Sequence, residues 1–327
     1  MGHFRLETAH ISTPLNAAFA ISRGAKTRAE TIRVHLSEGA HTGRGESVPY
    51  GRYGESVESV LAEIEAARDA IEAGISREAL QTLMKPGAAR CAVDCALWDL
   101  EAKKTGKPVW QLAGLPEPKP VETAVTVTLD APEAMAEAAA KAPGKLLKLK
   151  LGGPEDIARL KAVHAARPDA RLIADANEGL SATDLPALMK AAAGLGVVLI
   201  EQPLPAGQDE ALLQRPGPVA LCADESAHTR ADIQTLARYY DAVNVKLDKA
   251  GGLTEALAMV RAARGAGMGV MVGCMVAGSL SMAPAVLLAQ LADAADLDGP
   301  LWLSGDIEGG LTYTDGVVMP PGAGLWG

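Results

Sequence analysis

Two patterns of apolar positions divide the chain. Up to about Gly106 they read as strand, turn, strand, then helices. Glu30 to Leu36 is a strand-like run, and His41-Thr42-Gly43-Arg44-Gly45-Glu46 holds two glycines where a hairpin-like bend would want them. Two helices are predicted next, one from Ser56 to Ala73 ending near Gly74, the other from about Gly87 to Lys104 stopping at Gly106. Together these form a small α+β domain. The proline-rich stretch Pro116-Glu117-Pro118-Lys119-Pro120 marks its end, which sets an expected domain of residues 1–118.

Beyond that junction, short apolar runs alternate with helical stretches. Strands are predicted at Val121 to Leu129, Leu146 to Leu151, Arg171 to Ala176, Val197 to Gln202, Val219 to Ala223, Ala242 to Leu247, Gly269 to Cys274 and near Ala295 to Leu297. Eight such units is the count of a TIM barrel, here expected over residues 119–305. The residues closing these strands are Lys150, Asp175, Glu201, Asp224, Lys246, Cys274 and Asp296, at intervals of 25, 26, 23, 22, 28 and 22. That is one strand–helix unit per interval, so six ionisable side chains and a thiol stand at the carboxyl face, where such barrels carry their active sites. The last segment, 306–327, with strand-like Leu311 to Thr314, is expected to leave the barrel and touch the small domain.

Composition excludes several classes. Nearly half of the 327 residues (48%) are apolar and 22% charged, enough to bury a large core. The net charge of -9 and the lack of a long Lys/Arg cluster argue against nucleic acid. No apolar run reaches membrane-spanning length, and the N-terminus lacks the pattern of a secretory signal, so a cytoplasmic protein is expected. The four cysteines form no CxxC pair, and Cys91 and Cys95 read as small buried hydrophobes. No two histidines share metal-ligand spacing, which disfavours zinc. Gly265-Ala266-Gly267-Met268-Gly269 follows a helix and precedes a strand, the reverse of a dinucleotide-binding loop.

The candidate chemistry lies in the strand ends. Asp175, Glu201 and Asp224 come from three consecutive strands, and three converging carboxylates repel one another unless a cation lies among them. All-oxygen ligation favours Mg2+, with Mn2+ possible. Lys148 and Lys150 share one face of the second strand, and Lys246 closes the sixth. Strands two and six of eight oppose each other, so Lys150 and Lys246 should approach a bound carbon from opposite sides, the arrangement stereo-inversion requires. The Lys148 ammonium should make its neighbour Lys150 easier to deprotonate. A proton alpha to a carboxylate is very weakly acidic, and its removal yields an enediolate that a divalent cation stabilises while a lysine takes the proton.

The series Lys148-Leu149-Lys150, Asp175-Ala176-Asn177, Glu201-Gln202-Pro203, Asp224-Glu225-Ser226 and Asn244-Val245-Lys246 resembles that of the muconate-lactonizing subgroup of the enolase superfamily. Ile21-Ser22-Arg23-Gly24, the stretch Val48 to Ser56, Ala92 to Leu100 and Asp296-Leu297-Asp298-Gly299-Pro300 bring it closest to the dipeptide epimerases. The resemblance runs from about Leu15 to Thr312. It implies a modified (β/α)7β TIM barrel with an N-terminal α+β capping domain, and Mg2+-assisted epimerisation of L-Ala-D-Glu and L-Ala-L-Glu in murein-peptide turnover. Lys150 and Lys246 would be the acid/base pair beside Lys148, and Asp175, Glu201 and Asp224 the metal ligands, backed by Asn177, Glu225 and Asn244. Asp296 and Asp298 would bind the dipeptide ammonium, and Arg23, in a cap loop, the glutamate side-chain carboxylate; Lys26 and Arg28 lie close enough to take that role over. Thr126, Cys274 and Met275 complete the expected substrate contacts. By analogy with relatives a homo-oligomer is expected. Within the subgroup the resemblance also admits an N-acylamino acid racemase, an o-succinylbenzoate synthase or a cycloisomerase, none of which uses an ammonium-binding aspartate pair. A barrel that only binds is disfavoured, because it would have no physical reason to keep buried repelling charges.

Overall fold

The computed structural model describes residues 3–214 and 217–327. The chain begins with an antiparallel meander of β1 (Arg5–Ile21), β2 (Gly24–Glu38) and β3 (His41–Ser47). The helices α1 (Val57–Ala66), α2 (Arg68–Glu72), α3 (Arg77–Leu83), α4 (Ala88–Thr105) and α5 (Val109–Leu112) follow. Ile32, Val34 and Leu36 on one face of β2 pack with Val60, Ile64, Ile71, Leu80 and the alanines of α4 into a core of their own.

Two sequence expectations change here. The single helix over Ser56 to Ala73 is broken at Ala67, where the backbone leaves the regular helical path, and α3 is an additional helix. Ser56 caps α1 with a reciprocal bond to Ser59, which fixes its start. The segment His41 to Glu46 is not the bend but the strand β3, and the chain reverses at Gly39 and Ala40. Gly43 and Gly45 have another reason to be glycine: a methyl group at Gly43 would lie 2.1 Å from the Ala96 carbonyl oxygen, and one at Gly45 2.0 Å from that of Ala92. They let α4 lie directly on the strand backbone.

The barrel starts after β4 (Val121–Glu122). Its strands are β5 (Val125–Val127), β6 (Leu146–Lys150), β7 (Arg171–Asp175), β8 (Val197–Glu201), β9 (Ala220–Ala223), β10 (Ala242–Lys246), β11 (Gly269–Gly273) and β12 (Ala294–Asp296), in hydrogen-bonded order β5 to β12, with parallel pairing throughout. The outer helices are α6 (Pro132–Lys141), α7 (Asp156–Ala166), α8 (Leu185–Ala192), α9 (Ile233–Leu236), the one-turn α10 (Leu247–Ala250) with α11 (Leu253–Gly265), and α12 (Ser279–Ala289); a 3-10 turn at Asp209–Leu212 stands between β8 and β9. The two ends of the sheet meet where Ala124 N donates to the Ala295 carbonyl at 2.8 Å. The expected strand from Val121 to Leu129 is therefore two pieces: β4 stays outside the barrel, pairing with β14 (Val317–Val318), which pairs with β13 (Tyr313–Thr314). The final residues reach the cap, where Trp326 Nε1 donates to Cys95 O and Gly327 O accepts from Val109 N.

Strand alternation sets the barrel interior. Ala124, Leu146, Ile173, Leu199, Cys222, Ala242 and Met271 form an apolar layer inside its lower end. Two residues further along each strand, the same face presents Thr126, Lys148, Asp175, Glu201, Asp224, Asn244 and Gly273, and another two bring Lys150 and Lys246. The lower layer is a hydrophobic plug and the upper layers are polar. Among the described residues, no helix is long and apolar enough to cross a membrane.

The Gly45→Ala variant should lose about 3 kcal/mol of stability, because its methyl meets backbone rather than a movable side chain. Urea unfolding measures this; a midpoint equal to that of the parent protein would contradict the close approach of α4.

Candidate active site

A cavity of about 390 Å³ opens above the polar layers, within the size range of small-molecule sites. Barrel and cap both line it. From the barrel come Thr126, Lys150, Asn177, Asp224, Glu225, Lys246, Cys274, Met275, Asp296 and Asp298; from the cap come Phe19, Ile21, Arg23, Lys26, Tyr50 and Tyr53. Lys148, Asp175, Glu201 and Asn244 are buried and lie outside this lining, as part of the packed interior.

Lys148 is 1% exposed, and its ammonium lies 3.0 Å from Asp175, 2.8 Å from Glu201 and 2.7 Å from Asp296. Burial pushes the Lys148 pKa down, but Asp175, Asp296 and Glu201 outweigh it and hold the pKa well above the usual lysine range. Lys150 Nζ lies 2.6 Å from the same Asp175 Oδ2 that Lys148 meets. The two ammoniums thus share a carboxylate, which offsets their repulsion. For Asp175, burial acts upward and the two lysines downward, with a net lowering.

On the opposite wall, four strands round the barrel, Lys246 Nζ is 2.7 Å from Asp224 Oδ2, while Lys249 Nζ is 2.5 Å from Asp224 Oδ1 and also bonds the Asp224 carbonyl. Burial raises the Asp224 pKa, but Lys246 and Lys249 bring it well below the ordinary range. Glu201 goes the other way: burial, then neighbouring Asp175, lift its carboxyl to about 7 in spite of Lys148. Asn244 Nδ2 donates to Glu201 Oε1 at 2.7 Å, and Gly273 makes room for it, since a methyl there would lie 2.6 Å from Asn244 Oδ1. Asn177 donates through its backbone to Asp175 and through its side chain to Glu225.

The three acids do not surround one point. Among the described residues no three His, Cys, Asp or Glu side chains stand in metal-ligating geometry; Lys148 lies between Asp175 and Glu201, and Asp224 is paired separately with Lys246 and Lys249. The donor chemistry nevertheless suits a hard cation. The carboxylates end adjacent strands, with Asp175 paired in register to Glu201. Glu225 Oε2, Asp296 Oδ1, Asn177 Oδ1 and Asn244 Oδ1 are buried and accept no hydrogen bond among the described residues. This set of oxygens, with no thiolate or imidazole among them, fits Mg2+.

Asp298 accepts from Thr126 N at 2.7 Å and from Trp302 Nε1 at 3.2 Å, and burial followed by the Asp296 charge raises its pKa to about 6. Arg23 borders the cavity, but its guanidinium is engaged with Glu225, Glu178 and the Asn177 carbonyl. Lys26, on β2, reaches the cavity beside Phe19, 5.8 Å from the ring centroid, and burial lowers its pKa to about 8. Arg28 instead bonds Ser12 on the sheet.

Sequence reasoning missed Lys249 and Glu178. A signal for the first lay in Lys246-Leu247-Asp248-Lys249, whose spacing at a helix start turns both amines to one side; Glu178 directly follows Asp175-Ala176-Asn177.

Residues 5–114 match the family described as Mandelate racemase / muconate lactonizing enzyme, N-terminal domain, and residues 130–325 match Enolase C-terminal domain-like. The chain is 45% identical to the L-Ala-D/L-Glu epimerase of Escherichia coli K12, over 93% of this chain and 95% of that protein. It is 44% identical to the N-acetyl-D-glutamate racemase of a Pseudoalteromonas species, over 90% and 95%. A solved structure from Agrobacterium tumefaciens superposes with a TM-score of 0.97 at 50% identity, covering 99% of this chain and 100% of that one. That protein is described as an enolase family member with homology to dipeptide epimerases, with bound sodium, L-Ala-L-Glu and an ordered loop. With both of its parts matched, this chain belongs to the enolase superfamily, in the mandelate racemase / muconate lactonizing enzyme family.

Proposed function

We propose that this chain is a dipeptide epimerase that interconverts L-Ala-D-Glu and L-Ala-L-Glu by 1,1-proton transfer. The observation that carries the reading is the placement of Lys150 and Lys246 on opposite barrel walls facing one cavity, with the Asp296/Asp298 pair buried at its side. One amine takes the alpha proton from one face of the carbon, and the other returns a proton to the opposite face. Lys148, fixed by three acids, keeps its charge and helps neutralise the developing negative charge.

Asp175, Glu201 and Asp224 would hold Mg2+, which when bound neutralises charge on the substrate carboxylate. Asp296 Oδ1, left without a hydrogen-bond partner among the described residues, and Asp298 together suit a free ammonium. We assign the distal carboxylate to Lys26 in preference to Arg23, because both terminal nitrogens of Arg23 already pair with acids.

A second reading is racemisation of N-acylated glutamate, favoured by the similarity to an N-acetyl-D-glutamate racemase. Such a substrate has no ammonium for the aspartate pair. The deciding experiment incubates the enzyme with Mg2+ in D2O, offering Ala-Glu and N-acetylglutamate separately, and follows alpha-carbon deuteration by NMR. Deuterium should enter both Ala-Glu isomers; entry into N-acetylglutamate alone would overturn the dipeptide reading. Lys150→Ala and Lys246→Ala should each lower epimerisation by about 10³-fold, one of them still exchanging the proton of a single isomer. Substantial, equal epimerisation in both would refute two opposed bases.

Titration supplies another check. Asp298 must be ionised to hold an ammonium, so kcat/KM for Ala-Glu should fall as pH drops through about 6. Lys26 must be protonated to hold a carboxylate, so kcat/KM should also fall as pH rises through about 8. The dipeptide's own α-ammonium also titrates at about 8, so with Ala-Gln and in Lys26→Met the alkaline limb should become shallower by one proton rather than vanish; an unchanged slope in that variant would exclude Lys26. Mg2+ at about 100 times its Kd should stabilise the protein by about 2.7 kcal/mol, read as a higher Tm, and Asp224→Asn should abolish the shift.

A further inference from the structure

The tip of the β1–β2 hairpin is seated on the barrel mouth by contacts that take no part in the proton transfer. Ser22 and Arg23 form the turn. Ser22 Oγ donates to the Asn177 carbonyl at 2.8 Å, and its Cβ lies above two glycines: a methyl at Gly152 would come within 2.4 Å of it, and one at Gly179 within 3.2 Å. The barrel thus leaves a slot one side chain deep for the tip. Arg23 adds a bond to the same carbonyl at 2.7 Å and ion pairs to Glu178 at 3.0 Å and Glu225 at 2.8 Å.

Glu178 is the junction of this contact. Its side chain is 8% exposed, and its carboxylate also receives Arg52 in a two-pronged pair, Nε at 2.8 Å and Nη2 at 2.6 Å, together with the backbone N–H of Ala206 at 2.8 Å. One side chain therefore ties the hairpin tip, the cap turn Gly51–Tyr53 and the loops after β7 and β8. Asn177 and Glu178 also hold left-handed backbone, with φ of 44° and 66°, a conformation that costs a non-glycine residue of order 1 kcal/mol and survives where surrounding contacts fix it. What depends on the junction is the hairpin's own cargo. Phe19 and Lys26 enter the cavity from β1 and β2, and the Phe19 ring lies 5.7 Å from Lys150 Nζ and 5.8 Å from Lys26 Nζ.

We infer that Glu178 is a positioning residue: through Arg23 it clasps the hairpin tip onto the barrel, and through Arg52 it fixes the cap turn whose Tyr50 meets Arg23, so that Phe19 and Lys26 close the cavity over a bound substrate, and release of this clasp opens the site. The part concerning Lys26 rests on the dipeptide reading; the clasp does not.

Limited trypsin digestion tests the clasp without any assay of activity, since Arg23, Lys26 and Arg28 are cleavage sites within the hairpin. Glu178→Gln, which keeps the shape but removes the charge, and Arg52→Met, on the more exposed side, should each speed cleavage between 23 and 28 about tenfold. The double variant should be no faster than Glu178→Gln alone, because that substitution already breaks the Arg52 pair along with the Arg23 pair. In the same variants KM for Ala-Glu should rise about tenfold while kcat changes less than about threefold, and Arg52→Lys should recover part of the loss. Circular dichroism melts confirm that each variant is folded. Unchanged cleavage in Glu178→Gln overturns the clasp, as do single effects that simply add, and faster cleavage with an unaltered KM overturns the positioning role. If the parent enzyme turns over no dipeptide, the function proposed above has failed, and the digestion still decides the clasp.

Discussion

The barrel interior depends on one electrostatic constraint: carboxylates from adjacent strands are buried together, and each must have positive charge close by. Asp175, Glu201, Asp224 and Asp296 are all withdrawn from water. Isolated, a buried carboxylate takes up a proton rather than remain charged, and burial together with Asp175 pushes Glu201 in that direction. Lys148 answers this by touching three acids at once, and Lys246 with Lys249 does so for Asp224. Lys148 and Lys249 are each about as buried as the acids they serve, so neither can be replaced by a neutral residue without leaving an uncompensated charge in the interior.

This constraint also explains why the polar layers lie above an apolar plug. Leu146, Ile173, Leu199 and Met271 close the lower end, so water cannot reach the charges from beneath, and only the cavity side remains open. The cap then regulates that side. Fields inside a site shielded on all but one face act at short range with little screening, so a small movement of the hairpin changes the environment of Lys150 and Lys26 together. Fold and chemistry are coupled through the cap, whose own core of Ile32, Val34, Leu36 and α4 keeps the hairpin's base rigid while its tip is held by ion pairs.

Much of this was legible in the sequence because strand period and charge placement are local signals. The eight short runs, the spacing of their polar ends and the shared face of Lys148 and Lys150 all follow from a repeat of two, and the structure has the eight parallel strands that the spacing requires. What remained hidden depends on packing between distant segments. Gly43 and Gly45 looked like turn residues, since nothing local reveals that α4 lies against them. The run from Val121 looked continuous because apolar and polar residues alternate along it without a turn signal, yet β4 is drawn to β14, nearly two hundred residues later. Arg23 likewise carries a motif, but its partners Glu225 and Glu178 are fixed only when the loops after β7 and β9 meet the cap.

The hairpin shows how specificity can be divided between two domains of such a protein. Residues on barrel strands are held by ladder hydrogen bonds on both sides, which suits groups that must meet a proton within tenths of an ångström. Lys26 and Phe19 instead sit near the tip of the β1–β2 hairpin, held from outside by side-chain and loop contacts, where β1 and β2 pair with a register irregularity between Pro14 and Phe19. A bulged ribbon bends more readily than a barrel strand. Substrate side-chain preference can therefore change by substitution or movement in the cap while Lys150, Lys246 and the acids remain as they are. On this argument the proton chemistry belongs to the strand ends, and under the dipeptide reading proposed above the distinction between an acidic and a neutral second residue belongs to the hairpin.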